Sequence, residues 1–167
     1  MKMGFKMVIM KTRTEINGSK NDDWATPPHV IAYVRRHFFR GTGHFDPCPL
    51  NNDINIFNGL EVDWKEKNFI NPPYSRSLKE AFILKAIEQS NKGKLCVVLI
   101  PSNTETKLFH ELIIPNAEVF LIKGRIKFRV VNTFNEFVTD KTGQTGSMFA
   151  VFGNNKRGIH TITDLYY

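Results

Sequence analysis

The chain has 167 residues and a formal net charge of +7, with 41% hydrophobic and 23% charged residues. This length and balance fit one globular domain, and the excess of basic residues favours a polyanionic partner. The two cysteines, Cys48 and Cys96, stand alone, which argues against a disulfide framework or a zinc site and is typical of a reducing cytoplasm. No apolar run in the sequence is long enough to predict a membrane span.

The predicted elements alternate between helices and strands. Residues 1–22 are polar and basic, and we expect a flexible arm there. Apolar residues at helical spacing predict helices over 28–39, 77–91 and 104–113. The apolar run 95–100 predicts a strand buried on both faces, and further strands are expected over 44–46, just before residue 71, over 117–122 and over 147–152. This order predicts an α/β domain with a Rossmann-like sheet.

The segment Asn71-Pro72-Pro73-Tyr74 ends a short apolar strand in a rigid turn. An amino group on a conjugated ring is a poor nucleophile, because its lone pair is delocalised into the ring. Two acceptors on its N–H groups would draw the nitrogen toward tetrahedral geometry, and the Asn71 side-chain oxygen and the Pro72 carbonyl form such a pair. The prolines set the directions of these acceptors in advance, and Tyr74 offers a ring for stacking on a base. A plain strand-ending turn is the alternative.

Two segments upstream extend this pattern. The first is Asp46-Pro47-Cys48, in which the acidic residue is predicted to end a short strand, where open α/β sheets bind ligands. In the second, Trp24 offers a large flat surface, Thr26 is predicted to cap a helix, and Pro27 is predicted in the first helical turn.

The chain resembles the phage-type DNA N6-adenine methyltransferases, called the Dam family, in four ordered segments: Trp24-x-Thr26-Pro27, Asp46-Pro47-Cys48, Asn71-Pro72-Pro73-Tyr74 and Gly124-Arg125-Ile126-Lys127-Phe128. The resemblance runs from about residue 24 to about residue 153. It implies a Rossmann-like S-adenosylmethionine-dependent methyltransferase domain over 23–153, between the arm 1–22 and a C-terminal tail over 154–167. It also implies methyl transfer from S-adenosylmethionine to N6 of adenine in double-stranded DNA, without a metal, in the cytoplasm of a phage-bearing bacterial host.

The resemblance assigns roles to individual residues. The segment Asn71 to Tyr74 matches the catalytic loop. The implied cofactor-binding residues are Trp24, Thr26, Pro27, Asp46, Pro47, Cys48 and Asp63. Asp46 would lie near the methionine part of S-adenosylmethionine, whereas a surface carboxylate is the alternative for Asp63. The glycine-rich turn that most such enzymes carry after the first strand is missing, since no glycine follows Asp46 before Gly59.

Only about two dozen residues separate Asp46 from the strand before Asn71, whereas one βαβ crossover takes about 30 or more. We therefore expect a trimmed sheet, with residues 47–66 mostly loop and short strand. The cofactor pocket would then be more open, or closed by a partner. The sequence sets no oligomeric state.

Basic residues alternate with glycine or apolar residues over 123–129, so a strand would place four cations on one face: Lys123, Arg125, Lys127 and Arg129. These cations are predicted to contact DNA phosphates, with a solvated strand face as the alternative. The segment 130–146 is predicted to be a long mobile loop. Because the target amino group lies inside a stacked duplex, we also expect the base to be flipped into a pocket beside Tyr74.

Two other functions fit the same residues. An Asn-Pro-Pro-Tyr loop also serves methyltransferases that act on glutamine side-chain amides or on planar amino groups in RNA. The basic segment 123–129 argues for nucleic acid over protein. The other alternative is a catalytically silent DNA-binding module of the same fold, against which the intact loop at Asn71 argues. No Ser-His-Asp pattern supports a hydrolase.

Overall fold

The computed structural model describes residues 24–50, 56–131 and 137–166. The two helices are α1 (Pro28–His37) and α2 (Arg76–Asn91), and a π-helical segment spans Leu108–Ile113. The strands are β1 (Trp24–Ala25), β2 (Lys67–Ile70), β3 (Leu95–Pro101), β4 (Ala117–Ile122), β5 (Lys127–Val131), β6 (Phe137–Thr142), β7 (Ser147–Phe152) and β8 (Gly158–Ile162). Within the described residues, no helix is long and apolar enough to cross a membrane.

Five strands form a mixed sheet in the order β2-β3-β7-β4-β8. Strands β2 and β3 are parallel, β7 runs antiparallel to both of its neighbours, and β4 is parallel to β8. Beyond β2, Phe45 forms a parallel bridge to Asn68. The structure is therefore mixed α/β, and β2 and β3 end at the same edge of the sheet, which we call the carboxyl edge.

The core lies on both faces of this sheet, because the central strands are buried on both sides. In β3, Cys96, Val98 and Ile100 belong to one buried cluster, which includes Phe82 and Ile83 of α2. The alternate residues Val97 and Leu99 belong to a second cluster, which includes Val30 and Val34 of α1. The period of two along β3 thus places α1 and α2 on opposite faces of the sheet.

The three predicted helices and the strands predicted over 95–100, 117–122 and 147–152 agree with the sequence patterns, with two differences in helix length. The prediction that Thr26 caps the first helix was wrong, because the cap is Pro27 and no side chain bonds to the helix end. The strand predicted over 44–46 is a single bridge at Phe45. The helix predicted over 28–39 ends at His37, and Phe39 is buried just beyond it. The third predicted helix is shorter than expected, because only Leu108–Ile113 is π-helical after one helical residue. Residues 56–66 contain neither helix nor strand, as predicted for the trimmed region, while residues 51–55 lie outside the described part of the chain.

A second, three-stranded sheet has the order β1-β5-β6. Its strands β5 and β6 pair antiparallel, with Lys127 opposite Thr142 and Arg129 opposite Asp140. The prediction of a long mobile loop over 130–146 was therefore wrong, since described residues on both sides of 132–136 form paired strands. The sequence pattern missed these strands because the segment is rich in polar and charged residues and residues 138–142 of β6 are exposed, so no alternation of apolar and polar residues marks it.

The segment 154–167, predicted as a tail outside the domain, contains a strand of the main sheet. Strand β8 pairs with β4 from Glu118 opposite Gly158 to Ile122 opposite Ile162. Ile162 and Leu165 are buried in the same cluster as α1. The domain therefore extends to the C-terminal residues of the described chain. The predicted arm, residues 1–22, lies outside the described residues.

Candidate active site

The Asn-Pro-Pro-Tyr segment follows β2 directly and precedes α2. It therefore lies at the carboxyl edge, where α/β sheets bind ligands. Pro72 and Pro73 are buried, whereas Asn71 and Tyr74 are half-buried. The prolines are thus part of the packed interior, and the two residues that could reach a ligand remain accessible.

The side chain of Asn71 has a defined direction. Its Nδ2 donates to the main-chain carbonyl oxygen of Trp24 at 3.3 Å and to Thr26 Oγ1 at 3.1 Å. A carbonyl oxygen can only accept, so the amide nitrogen must face Trp24 and the amide oxygen must point away. Asn71 Oδ1 is buried and has no hydrogen-bond partner among the described residues. A buried acceptor without a partner costs about 1–3 kcal/mol, so a donor that reached this oxygen would recover that free energy.

Trp24 is itself held by the three-stranded sheet β1-β5-β6. It pairs with Val130 of β5, and its ring lies 5.6 Å from that of Phe128, centroid to centroid. Lys141 of β6 places its Nζ 5.2 Å from the centre of the Trp24 ring, within the range of a cation–π contact. The strand β1 therefore links the β5–β6 hairpin to the side chain of Asn71.

A cavity of about 450 Å³ opens at the carboxyl edge beside Tyr74. Its aromatic wall consists of Trp24, Tyr74 and Phe128, with the Tyr74 and Phe128 rings nearly perpendicular at 6.4 Å. The other lining residues include Lys79, Asn103 and Gln144. Burial lowers the pKa of Lys79. An aromatic wall opposite polar groups is the usual composition of a site for a flat heterocyclic ligand.

The predicted segment Asp46-Pro47-Cys48 forms a turn next to β2. It comes directly after Phe45, whose main chain bonds to Lys67 and Phe69 of β2. Asp46 is exposed, and its Oδ1 accepts from the main-chain nitrogen of Cys48 at 2.8 Å, which is an Asx turn. Pro47 is buried and packs so closely against Gly59 that a Cβ atom at Gly59 would lie 1.7 Å from the Pro47 carbonyl oxygen.

Asp63, which the resemblance implied as a cofactor contact, lies elsewhere. Its Oδ1 accepts from Lys92 Nζ at 2.8 Å and from Gln89 Nε2 at 3.1 Å, near the end of α2. The hydrogen bond from Lys92 lowers the pKa of Asp63 to about 2, with a smaller contribution from Gln89. These partners precede β3, at the edge of the sheet opposite Asn71. The ion pair with Lys92 favours the alternative of a surface carboxylate, and a cofactor contact by Asp63 stays a prediction.

Three of the four predicted DNA-binding cations share one groove. This groove, which we call the β5 groove, has a volume of about 550 Å³ and is lined by Pro27, Pro28, His29, Arg125, Lys127, Arg129, Asp140 and Tyr166. The chain bends at Gly124, whose φ is +84°, and β5 begins only at Lys127. Lys123 precedes the bend, where its main-chain nitrogen donates to Ile162. The prediction of four cations on one strand face was therefore wrong for Lys123 and Arg125, although Arg125 reaches the same groove.

Comparison with known proteins identifies the family. The sequence matches the family model described as DNA N-6-adenine-methyltransferase (Dam) over residues 13–165. The chain belongs to the Dam family.

Two phage members of the Dam family illustrate the similarity. The DNA N-6-adenine-methyltransferase of Haemophilus phage HP1 (strain HP1c1) is 32% identical over 130 residues, which cover 71% of this chain and 73% of that protein. The DNA N-6-adenine-methyltransferase of Escherichia phage T1 is 30% identical over 150 residues, which cover 83% of this chain and 60% of that protein. No solved structure matches the chain.

In this Dam-family chain, the fold brings most of the predicted site residues to one edge. Trp24 and Thr26 contact Asn71, Asp46 lies beside β2, and Tyr74 lines the cavity. The sequence analysis missed the main-chain contact between Trp24 and Asn71 and the close approach of Gly59 to Pro47. Neither has a sequence signal, because both depend on segments that are far apart along the chain.

Proposed function

We propose that this DNA N-6-adenine-methyltransferase transfers the methyl group of S-adenosylmethionine to an adenine in double-stranded DNA, with Asn71 to Tyr74 as its catalytic loop. The observation that carries this proposal is the buried, unpartnered Oδ1 of Asn71, which the contacts of Nδ2 direct away from Trp24 and Thr26. Because the two relatives above are phage proteins, we expect the reaction to take place in a bacterial cell.

The loop supplies two acceptors for the exocyclic amino group. Asn71 Oδ1 accepts one N–H and the main-chain carbonyl of Pro72 accepts the other. These bonds strengthen as the nitrogen loses conjugation with the ring and gains positive charge, so they stabilise the transition state more than the ground state. The carbonyl direction is set in advance, because Pro72 and Pro73 are buried and their φ angles are fixed by their rings. The loop therefore acts through orientation and charge rather than as a strong base.

The residues at the carboxyl edge are compatible with S-adenosylmethionine. When bound, this cofactor supplies an electrophilic methyl group on a positively charged sulfur. The exposed carboxylate of Asp46 suits a cationic ligand, and the turn through Pro47 and Cys48 holds it beside β2. Trp24 Nε1 and Ser75 Oγ are also buried without hydrogen-bond partners among the described residues. Such polar atoms, in or next to the segments that contact Asn71, are satisfied when a ligand binds.

Thr26, Pro27 and the basic residues of the β5 groove have different roles in this proposal. The hydroxyl of Thr26 accepts from Asn71, so we assign Thr26 to the catalytic amide rather than directly to the cofactor. Pro27 is buried and lines the β5 groove. Arg125, Lys127 and Arg129 in that groove would contact the phosphates of the duplex.

The target adenine, extruded from the duplex, would enter the cavity beside Tyr74. Its aromatic wall of Trp24, Tyr74 and Phe128 provides a stacking surface, which contributes about 1–3 kcal/mol per base in nucleic-acid complexes. Asn103 and Gln144 in the same cavity carry amide groups suited to the polar edge of the base. This arrangement supports a base as the ligand, because the aromatic and amide groups line the same space.

In this proposal the sheet is a reduced Rossmann-like methyltransferase sheet. The parallel pair β2 and β3 with α2 as its crossover helix supports this interpretation, as does the position of Asn71 at the end of β2. Beyond β2, the bridge at Phe45 takes the place of a longer strand. The trimmed side would leave the cofactor pocket more open than in a complete sheet.

The test is mass spectrometry of nucleosides from duplex DNA incubated with the purified protein and S-adenosylmethionine. New N6-methyladenine is expected with the wild type. Asn71→Ala removes one preorganised acceptor and should lower kcat by about 10²–10³. Calorimetry should show that Asn71→Ala still binds S-adenosylmethionine. Near wild-type turnover by this variant would contradict the role of Asn71, and methylation of RNA alone would contradict duplex DNA as the substrate.

A further inference from the structure

The outward surface of α1 carries arginine residues that the site described above does not use. Arg35, Arg36 and Arg40 are exposed. Together with Pro28, Ile31, Ala32 and Gly41 they line an open groove of about 770 Å³. We call this the α1 groove. Its charged residues and its location outside the cavity of Tyr74 suggest a ligand that extends beyond a single base.

The α1 groove adjoins the β5 groove, since Pro28 lines both. Helix α1 begins next to Thr26, which contacts Asn71 at the carboxyl edge. Arg35 lies seven residues after Pro28, which is about 10 Å along a helix that rises 1.5 Å per residue. A duplex that reaches the catalytic loop through the β5 groove would therefore pass the arginines of α1 within its own width.

The arginines of the α1 groove are not used in ion pairs within the described part of the chain. No carboxylate of the described residues lies within 4.0 Å of Arg35, Arg36 or Arg40. On the opposite face of the sheet, Lys85 of α2 pairs with Glu88, and Lys92, just after α2, pairs with Glu88 and Asp63. Asp140 is the acidic residue that lines the β5 groove, and the α1 groove is lined by none. The charges of Arg35, Arg36 and Arg40 are therefore not offset by an ion pair with any described residue.

Arg40 adds an independent observation. Its φ is +54°, a left-handed conformation that glycine adopts without penalty and that other residues adopt with strain. Beyond it, the nitrogen of Gly41 donates to the carbonyl of Arg35 at 2.8 Å and closes the helix end. The turn itself would be more stable with glycine at position 40. A long cation at a strained, exposed position indicates that the charge itself is useful.

We propose that Arg35, Arg36 and Arg40 bind the phosphate backbone of duplex DNA that flanks the target adenine. This interaction surface rests on the proposed function, because it takes duplex DNA as the substrate. It extends the phosphate contacts from the β5 groove along α1 and fixes the register of the duplex without reading its sequence. The alternative is that Arg35 and Arg36 only offset the dipole at the end of α1. That alternative does not account for Arg40, which lies beyond the helix.

The test is the salt dependence of duplex binding, measured by fluorescence anisotropy on the full chain over a series of KCl concentrations. Each phosphate contact removed should reduce the slope of log affinity against log salt by about 0.9. We compare Arg35→Ala/Arg36→Ala and the single variant Arg40→Gly with the control Lys85→Ala/Lys92→Ala. The control removes the same charge as the α1 double variant, but from the opposite face of the sheet.

We expect a reduced slope for both α1 variants and an unchanged slope for the control. Arg40→Gly should also melt at the wild-type temperature or above it, because it relieves strain, so its weaker binding cannot be attributed to unfolding. Equal slopes for the α1 variants and the control would overturn the proposal. If wild-type protein shows the α1-dependent binding yet produces no N6-methyladenine, the proposed function fails while the binding surface stands.

Discussion

The side-chain nitrogen of Asn71 lies 3.3 Å from the main-chain carbonyl oxygen of Trp24, and this contact decides which way the Asn71 amide faces. Thr26 could donate or accept through its hydroxyl, but the carbonyl of Trp24 can only accept. If the amide were rotated, two acceptors would face each other. The pairing of β1 with β5 holds that carbonyl in place, so the β5 groove and the segment that begins at Asn71 are joined through the two residues of β1.

Replacement of Thr26 tests how this orientation is maintained. Thr26→Val removes the acceptor 3.1 Å from Asn71 Nδ2 while leaving the Trp24 contact. Loss of one hydrogen bond of about 1 kcal/mol should lower kcat about fivefold. KM for S-adenosylmethionine should change little, because the hydroxyl serves the amide. Steady-state kinetics with saturating DNA measures both constants.

The matched control is Thr26→Ser, which keeps the hydroxyl and should restore kcat to near the wild-type value. A rise in KM for S-adenosylmethionine with unchanged kcat in Thr26→Val would instead identify Thr26 as a direct cofactor contact, as the sequence resemblance implied.

Tyr74 is expected to act through its ring. Tyr74→Phe keeps the aromatic wall of the cavity, whereas Tyr74→Ala removes a stacking surface worth about 1–3 kcal/mol. We therefore expect kcat/KM for DNA to remain within about threefold of wild type in Tyr74→Phe and to fall about 5- to 150-fold in Tyr74→Ala, by conversion of that energy. Equal losses in the two variants would show that the hydroxyl, rather than the ring, carries the function.

The local patterns in the sequence predicted the central elements well. The apolar run 95–100 became β3, and apolar residues such as Phe82 and Ile83 at helical spacing became the buried side of α2. These predictions succeed because a helix with one buried face has regularly spaced apolar residues, and a strand buried on both faces has a continuous apolar run. The four ordered segments of the family resemblance indicated the family for a similar reason, and the family model matches residues 13–165.

The failures share a different cause. Residues 138–142 of β6 are exposed, and β8 has exposed residues at 158–161 with Ile162 buried at its end. Both strands are specified by their pairing partners rather than by their own composition. The orientation of Asn71 and the ion pair of Asp63 depend on contacts across 47 and 29 residues of sequence, which a local pattern does not record.

Asp63→Asn tests whether this carboxylate contacts the cofactor or serves only the surface ion pair. Because Asp63 pairs with Lys92 at the edge opposite Asn71, we expect kcat and the dissociation constant of S-adenosylmethionine to stay within about twofold of wild type. Its side chain is 70% exposed, and exposed ion pairs contribute little to stability. Titration calorimetry measures the dissociation constant of S-adenosylmethionine, and steady-state kinetics measures kcat. A large loss of cofactor affinity would show that Asp63 contributes to the cofactor site.

The stability effect of Asp63→Asn should depend on pH in a defined direction. The folded-state pKa of about 2 lies below the ordinary value of 3.8, so ionised Asp63 favours the folded state above pH about 4. That contribution is lost as the pH falls toward 2. Urea unfolding of wild type and variant should therefore show a small difference at pH 7 that narrows between pH 4 and pH 2. A difference that grows on acidification would contradict the pairing with Lys92 and Gln89.

Gly59 is expected to control the turn that carries Asp46. A Cβ atom at Gly59 would lie 1.7 Å from the carbonyl oxygen of Pro47, so Gly59→Ala must displace one of the two backbone segments. Trp64 Nε1 donates to the Gly59 carbonyl at 2.7 Å, which resists movement on the Gly59 side. We expect a loss of about 1–3 kcal/mol in the free energy of unfolding, as for other overpacked sites, together with weaker binding of S-adenosylmethionine.

The matched control is Gly43→Ala, which has no atom within 4 Å of its new Cβ and should be close to wild type. Wild-type stability and cofactor affinity in Gly59→Ala would show that the Asp46 turn is not held by this contact.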